Sequence, residues 1–287
     1  MSLLFDSFWR AVAYCLHPRV IALSVLPLVL MVVTALGLGY FFWDGAVDSV
    51  RMTLEGWTLV GTLFAWLEAV GMGGLKSGLA PLVVVFLATP VIVVVALLCV
   101  AALMTPSILS LVAERRFPSL ERKRGGSFLV GMLGGLAATV VALVVMLVSV
   151  PLWFVPPLVL VLPPLIWGWL SYRVFSYDVL AEHASREERL ALIREHRPML
   201  VGMGVLTGYL GAAPSLVWAS GVLFIALAPV LVPVAIWIYT LVFAFSALWF
   251  AHYGLAALQA LRAREMRPAA VAAAAPSTSV FEALPPP

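Results

Sequence analysis

The stretch LVVVFLATPVIVVVALLCVAALM, residues 82–104, decides the fold class of this chain. It is continuously apolar, whereas the strands of a membrane barrel alternate polar and apolar residues over about ten positions. Because hydrocarbon offers the backbone no hydrogen-bond partners, only helices and closed barrels can cross a bilayer. The run therefore predicts a transmembrane helix, which we place at about residues 81–113.

The composition of the whole chain extends this prediction. The chain is 63% hydrophobic and 11% charged, and its mean hydropathy is +1.09. Soluble domains are about 45–50% apolar and about 25% charged, and a water-soluble fold of this size could not bury so much apolar surface. We predict an all-α integral membrane protein with the lipid bilayer as its main partner. The net charge of +3 gives no reason to expect nucleic-acid binding.

Three further segments have the character of membrane helices. Residues 20–43 form a run long enough to span about 30 Å of hydrocarbon, with Pro27 inside it. Residues 125–172 and 198–261 contain no Asp, Glu, Lys or Arg, and each run is interrupted by prolines: Pro151, Pro156 and Pro157 in the first, and Pro214, Pro229 and Pro233 in the second. These runs predict two helical hairpins, at about residues 127–173 and 199–262. Hydropathy leaves open whether the hairpins cross the bilayer fully or only in part.

Both ends of the chain differ from this apolar centre. Residues 1–18 place one apolar side (Leu4, Phe8, Val12, Cys15, Leu16) opposite one polar side (Asp6, Arg10, His17) at helical spacing. This pattern predicts an amphipathic helix in the headgroup plane, the alternative being a helix docked on the protein's own surface. Residues 265–287 are rich in alanine and proline, which predicts a disordered tail.

The most polar stretch is DVLAEHASREERLALIREHRP, residues 178–198. Ser185 and Glu188 have the spacing of a capping box, so we predict a short surface helix within about residues 178–197. The zinc-protease pattern H-E-x-x-H is absent, and Leu192 stands where an E-E-x-x-x-R intramembrane protease needs arginine. Cys15 and Cys99 lack metal-binding or disulfide spacing. We therefore predict neither a catalytic site, nor a metal site, nor a cofactor.

The basic residues are distributed very unevenly between the predicted loops. Fifteen of the 17 lie within four segments, residues 10–19, 115–124, 173–197 and 262–267, and only Arg51 and Lys76 lie between the first two spans. Cytoplasmic loops carry the excess of Lys and Arg in membrane proteins. Both termini and both charged inter-hairpin segments are therefore predicted to be cytoplasmic.

Several short motifs resemble the CysZ sulfate permease family, whose membrane domain is shared with the eukaryotic etoposide-induced proteins. The first is CLHPRVIALSVLPLVLM, residues 15–31, with a proline and a basic residue at the start of the first span. Met31 replaces the asparagine that the family has there. YRVFSYDVLAEHAS (172–185) and IWIYTLVFAFSALWFAHYGLAALQALR (236–262) extend the resemblance, which covers about residues 1–264.

The resemblance implies a function and two binding residues. It implies a homo-oligomeric permease of the bacterial inner membrane that carries sulfate, a small anion, and is not an enzyme. Arg19 corresponds to the basic residue implicated in sulfate binding in the family, and Arg10 is a second candidate. For Arg19 the alternative is an anchor whose side chain reaches up to the membrane surface.

Two questions stay open at the level of sequence. His252 is the one ionisable side chain within the second uncharged run, which makes it a functional candidate, although its place near a helix end beside Tyr253 favours a residue at the membrane interface. The rival function is that of a non-transporting membrane organiser, as the etoposide-induced relatives suggest.

Overall fold

The computed structural model describes residues 2–69, 71, 74–212 and 222–274, and within these ranges the chain is helical with no strand. The helices are α1 (Ser2–Cys15), α2 (Pro18–Gly56), α3 (Thr58–Ala69), α4 (Gly74–Arg116), α5 (Phe128–Ser149), a 3₁₀ helix (Val150–Phe154), α6 (Pro156–Ala181), α7 (Arg186–Glu195), α8 (Arg197–Ala212) and α9 (Val222–Ala274).

Four helical segments in the described part of the chain are long and apolar enough to cross a membrane: Pro18–Gly56, Leu129–Phe154, Pro157–Ala181 and Val230–Met266. A shorter apolar helical segment, Gly78–Thr89, lies within α4. Large apolar side chains on these segments face outward; Leu147 and Val148 of α5, for example, are 72% and 70% exposed. Since the protein does not cover them, hydrocarbon must, and the predicted all-α membrane fold is confirmed.

The helices are longer than the hydropathy peaks that predicted them. α2 continues past residue 43 to Gly56, and α4 contains the whole of the predicted span 81–113. The mixed-polarity residues that follow the first span are also helical, in the end of α2 and in α3. The reason is physical: hydropathy marks the part of a helix that lies in hydrocarbon, whereas the helix itself continues wherever its backbone hydrogen bonds do.

The first hairpin turns where its prolines predict. Pro151 is the second residue of the 3₁₀ helix, Val155 adopts an extended conformation (φ −96°, ψ 105°), and Pro156 and Pro157 begin α6. Proline suits the first turn of a helix because its missing N–H would have no partner there. α5 has 22 residues and is therefore about 33 Å long. The hydrocarbon core is about 30 Å thick, so α5 is long enough for a complete crossing.

The residues of the second predicted hairpin lie in α8 and α9, and residues 213–221 between these helices lie outside the described residues. The predicted break at Pro214 lies outside the described residues, and Pro233 lies inside α9 rather than at a break. α9 continues to Ala274, so the prediction of a disordered tail is wrong for residues 265–274, which are helical. Residues 275–287 lie outside the described residues.

The chain divides into two compact units. The first contains Met1–His17, Ser107–Leu216 and Val242–Pro287, and the second contains Pro18–Pro106 and Val217–Leu241. Within the second unit, the Trp237 indole Nε1 donates a hydrogen bond to the Ser24 hydroxyl at 2.9 Å. Within the first unit, α6 packs most extensively against α8.

Three glycines allow α6 and α8 to pack backbone against backbone. A Cβ on Gly168 would lie 2.7 Å from the carbonyl oxygen of Gly204, and a Cβ on Gly208 would lie 2.8 Å from the backbone nitrogen of Gly168 and closer still to the carbonyl oxygen of Pro164. The G-x-x-x-G spacing of Gly204 and Gly208 thus lies at a close helix contact, as small-residue motifs do in membrane helices.

We expect Gly208→Ala to destabilise the protein, because its methyl group has no room against α6. The matched control is Gly202→Ala on the same helix, where a Cβ would meet nothing within 4 Å. Overpacking costs about 1–3 kcal/mol, whereas alanine in an open helix position is favoured over glycine by about 1 kcal/mol. Thermal unfolding in detergent should therefore show a lower Tm for Gly208→Ala and an equal or higher Tm for Gly202→Ala. Equal Tm values for the two variants would contradict the close contact.

Candidate functional site

Arg19 is the second residue of α2, where Pro18 begins the helix. Its side chain is exposed. The first turn of a helix has backbone N–H groups without partners inside the helix, and the helix dipole makes this end partly positive. The structure thus places the Arg19 guanidinium group at the N-terminus of a helix.

Arg10 lies on α1 within a small charged cluster. Its Nε donates to the Asp6 carboxylate at 2.7 Å, and Nη2 of Arg116, at the end of α4, lies 3.3 Å from the same carboxylate oxygen. The hydrogen bond from Arg10 lowers the pKa of Asp6, and the charges of Arg10, Arg116 and His252 act in the same direction. The Asp6 carboxylate in turn raises the pKa of Arg10. Two guanidinium groups thus share one carboxylate, which leaves the cluster with an excess positive charge.

α1 itself docks on the protein through one face and leaves another exposed. Ser7 and Ala11 are buried, and the Phe8 ring packs edge-on against Phe245 and Trp249 of α9, with centroids 5.5 and 5.2 Å away. The predicted apolar side is therefore divided. Phe8 faces the protein, whereas a second stripe of apolar side chains at helical spacing is exposed: Phe5, Trp9, Val12 and Leu16.

His252 is buried inside the protein. It is 1% exposed, and its ring contacts the Tyr14 ring of α1 edge-on at a centroid distance of 4.8 Å. Neither ring nitrogen of His252 has a hydrogen-bond partner among the described residues, and the same holds for Nε1 of Trp249. Tyr253, the neighbour of His252 in sequence, points elsewhere: its hydroxyl lies 2.8 Å from Nδ1 of His196.

Part of the polar stretch 178–198 packs with two other segments of the chain. We name this assembly the charged cap; it consists of residues 117–126, residues 182–189 and Arg262. The predicted capping box is present. The Glu188 backbone N–H donates to the Ser185 hydroxyl at 3.1 Å, and the Ser185 N–H donates to Oε2 of Glu188 at 2.8 Å. The helix is shorter than its predicted bounds, because residues 178–181 belong to α6 and α7 covers only Arg186–Glu195.

Glu188 is the centre of the charged cap. Arg262 of α9 donates to both carboxylate oxygens, from Nε at 2.9 Å and from Nη2 at 3.0 Å, and Lys123 Nζ lies 2.8 Å from Oε1. Arg262 also donates to the backbone carbonyls of Glu121 and His183. The pKa of Glu188 is lowered from its ordinary 4.5 to about 2, chiefly by the hydrogen bond from Arg262, and Lys123 and the Ser185 backbone N–H act in the same direction.

Tight backbone packing holds the loop after α4 in this cap. The N–H groups of Arg124, Gly125 and Gly126 donate to carbonyls at the end of α6 and in the turn that follows it. A Cβ on Gly126 would lie 2.6 Å from the Ala181 Cβ, so only glycine fits there. The Arg189 guanidinium covers this contact: it donates to the Gly125 carbonyl at 3.2 Å and stacks over the Tyr177 ring at 4.5 Å.

Within the described ranges, no three His, Cys, Asp or Glu side chains are grouped as metal ligands. Glu188 is fully used by cationic and backbone donors, and burial raises the pKa of the Cys15 thiol to about 11, so this thiol is not an activated nucleophile.

Sequence reasoning missed Trp249, Tyr14 and Arg116. Only the i, i+3 spacing of Trp249 and His252 could have signalled that these two rings share a helix face.

Comparison with known proteins gives one match. A family model described as sulfate transporter CysZ/etoposide-induced protein 2.4 matches residues 7–221, which is more than half of the chain. No curated protein and no solved structure matches the chain. Arg10 and Arg19 lie inside the matched segment, whereas Trp249, His252 and Arg262 lie beyond it.

We expect Glu188→Gln to lower the free energy of unfolding by about 3 kcal/mol at pH 7, because it leaves the Arg262 guanidinium group, which is only 13% exposed, and the Lys123 ammonium group without their counter-charge. A carboxyl whose pKa is lowered by folding stabilises the fold above its unfolded pKa and loses that contribution as pH falls to the folded pKa. The Tm difference between wild type and variant, measured in detergent, should therefore shrink between pH 4.5 and about 2.

The matched control for this prediction is Glu195→Gln. Glu195 pairs with Arg264 at 2.9 Å, but both side chains are largely exposed. Exposed pairs are worth less than about 1 kcal/mol, so this variant should unfold almost as the wild type does. A Glu188→Gln protein that is equally stable, or a Tm difference that does not change with pH, would contradict the central role of Glu188.

Proposed function

Because the chain belongs to the sulfate transporter CysZ/etoposide-induced protein 2.4 family, we propose that it carries a small oxyanion, sulfate in the first instance, across the bacterial inner membrane. The family is a transporter-type membrane family. The chain is a multi-pass membrane protein with four described helical segments that are long and apolar enough to cross a membrane. The observation that carries the proposal is the position of Arg19, inside the family match and in the exposed first turn of an apolar helix that can span the membrane.

The chemistry of this position suits an oxyanion. A guanidinium group presents its N–H donors in a planar fork that matches two oxygens of a tetrahedral anion. The first turn of α2 adds backbone N–H groups and the positive end of a helix dipole. We therefore assign Arg19 the role of binding sulfate at the membrane surface.

Arg10 has a supporting role in this proposal. Its Nε is engaged by Asp6, so part of its fork of N–H donors is already occupied. The excess positive charge of the Asp6–Arg10–Arg116 cluster still attracts an anion to this side of the protein. In this proposal Arg10 raises the local concentration of sulfate, and Arg19 is the residue that binds it.

Topology and assembly complete the proposal. The distribution of basic residues supports cytoplasmic termini, with Arg10, Arg19 and the charged cap on the cytoplasmic side. We propose a homo-oligomer, in keeping with the family resemblance. Since the described residues contain no nucleotide-binding motif, the anion gradient or a coupled ion would drive the flux.

We expect purified protein in proteoliposomes to take up radiolabelled sulfate above the level of empty vesicles. Arg19→Ala should reduce the initial rate about tenfold to a hundredfold, because hydrogen bonds to charged groups are worth about 1.5–3 kcal/mol. The matched control is Arg264→Ala, which removes an exposed arginine paired with Glu195 and should leave uptake unchanged.

A third variant separates binding from anchoring. Arg19→Lys keeps a charge that can reach the membrane surface but loses the planar fork, so we expect intermediate uptake. Full uptake by both Arg19→Ala and Arg19→Lys would remove Arg19 from the mechanism. No uptake by the wild type, together with specific capture of a partner protein in mild detergent, would favour the membrane-organiser function instead.

A further inference from the structure

α9 carries two buried N–H-bearing rings on one helix face. Trp249 and His252 are three residues apart and only 2% and 1% exposed. No described residue accepts a hydrogen bond from Nε1 of Trp249 or exchanges one with either nitrogen of His252. A buried donor without an acceptor costs about 1–3 kcal/mol, and native structures rarely keep such groups without a reason. Two of them on one face indicate a shared partner.

The rings that cover these donors come from α1. Phe8 lies edge-on against Trp249 at 5.2 Å, and Tyr14 lies edge-on against His252 at 4.8 Å. Aromatic faces recover only a small part of a hydrogen bond to an N–H group. α1 therefore seals the two donors from water without satisfying them.

The electrostatic surroundings favour an anion as the missing partner. His252 contacts Tyr14, which lies one helical turn after Arg10 of the Asp6–Arg10–Arg116 cluster on α1. The two guanidinium groups of that cluster outweigh its one carboxylate. An anion that accepts a hydrogen bond from these ring N–H groups would also gain from this positive field.

We propose that Trp249 and His252 form an oxyanion-binding subsite beneath α1, which takes sulfate or a similar tetrahedral anion. This inference rests on the proposed function and adds to it a second binding step, at a site buried beneath α1. Because α1 seals the ring nitrogens, the anion reaches them when the inner face of α1 lifts from α9. The exposed apolar stripe of α1 (Phe5, Trp9, Val12 and Leu16) keeps the helix at the lipid surface during that movement.

Sulfate uptake into proteoliposomes tests the subsite through two variants. Trp249→Phe and His252→Phe keep an aromatic ring and remove the N–H donor. We expect each to lower the initial rate at least fivefold at low sulfate concentration and to raise KM. The matched control is Phe245→Leu, which disturbs the same ring cluster around Phe8 without removing a donor, and it should stay within about twofold of the wild type.

Nuclear magnetic resonance of the wild type gives a readout that does not depend on transport or on the folding of a variant. The chain has four histidines, so ¹⁵N-histidine labelling gives few signals, and His252→Phe identifies those of His252. Titration with inorganic sulfate should shift the His252 ring nitrogens, and sodium chloride at equal ionic strength should not. Shifts that appear equally with chloride would mean a general salt effect and would overturn the subsite.

The outcomes of the two experiments are separable. If Trp249→Phe and His252→Phe take up sulfate as fast as the wild type, and if sulfate does not shift the His252 signal of the wild type, the subsite is overturned. The proposed function then stands. Absence of uptake in the wild type overturns the proposed function. A His252 signal that still responds to sulfate then supports the subsite as a binding site only.

Discussion

The carboxylate of Glu188 holds together segments that lie far apart in the chain. It accepts hydrogen bonds from Arg262, 74 positions later, and from Lys123, 65 positions earlier, while its own helix is capped by Ser185. Such contacts matter more in a membrane protein than in a soluble one. Hydrocarbon is as apolar as leucine, so apolar helices gain little from contacting each other instead of lipid. Polar contacts outside the hydrocarbon and close packing inside it must therefore specify which helices are neighbours.

The polar contacts of the charged cap and the close glycine contact between α6 and α8 lie in the same unit of this protein. The charged cap joins the loop after α4 to the turn after α6 and to α9, and the glycine contact joins α6 to α8. α1 is held differently, by edge-on aromatic contacts and by an ion-pair cluster around Asp6 whose side chains are substantially exposed. Exposed ion pairs contribute little stability, so α1 is the element of this unit that can move at the lowest cost. This difference between a fixed frame and a movable helix is what the oxyanion subsite requires.

Local patterns in the sequence predicted the local features of the fold. Four residues, Ser185 to Glu188, are enough to predict a capping box, and the prolines at 151, 156 and 157 predict the first hairpin turn. Hydropathy predicted the membrane character but not the helix ends, because a helix leaving hydrocarbon can continue in water. The tail prediction was wrong over residues 265–274 for a related reason: an alanine-rich segment that lacks large apolar groups is still a good helix former.

The site was less predictable because its contacts are distant in sequence. No pattern near residue 188 indicates that Arg262 is its partner. His252 was open to an interfacial interpretation because Tyr253 stands beside it, yet adjacent residues on a helix point about 100° apart. Tyr253 accordingly contacts His196, and His252 faces Tyr14. Only the assembled helices show which side of α9 is buried beneath α1.

Accessibility of single cysteines tests the membrane arrangement most directly. In a variant with Cys15 and Cys99 replaced by alanine, one cysteine is placed at Arg194 in α7 and, in a second variant, at Glu55 near the end of α2, both exposed positions. A membrane-impermeant maleimide applied to spheroplasts should label position 55 at once and position 194 only after the membrane is opened. Labelling of position 194 in every copy while the membrane is intact would contradict an arrangement in which the apolar helices cross the bilayer and leave the charged cap on the cytoplasmic side.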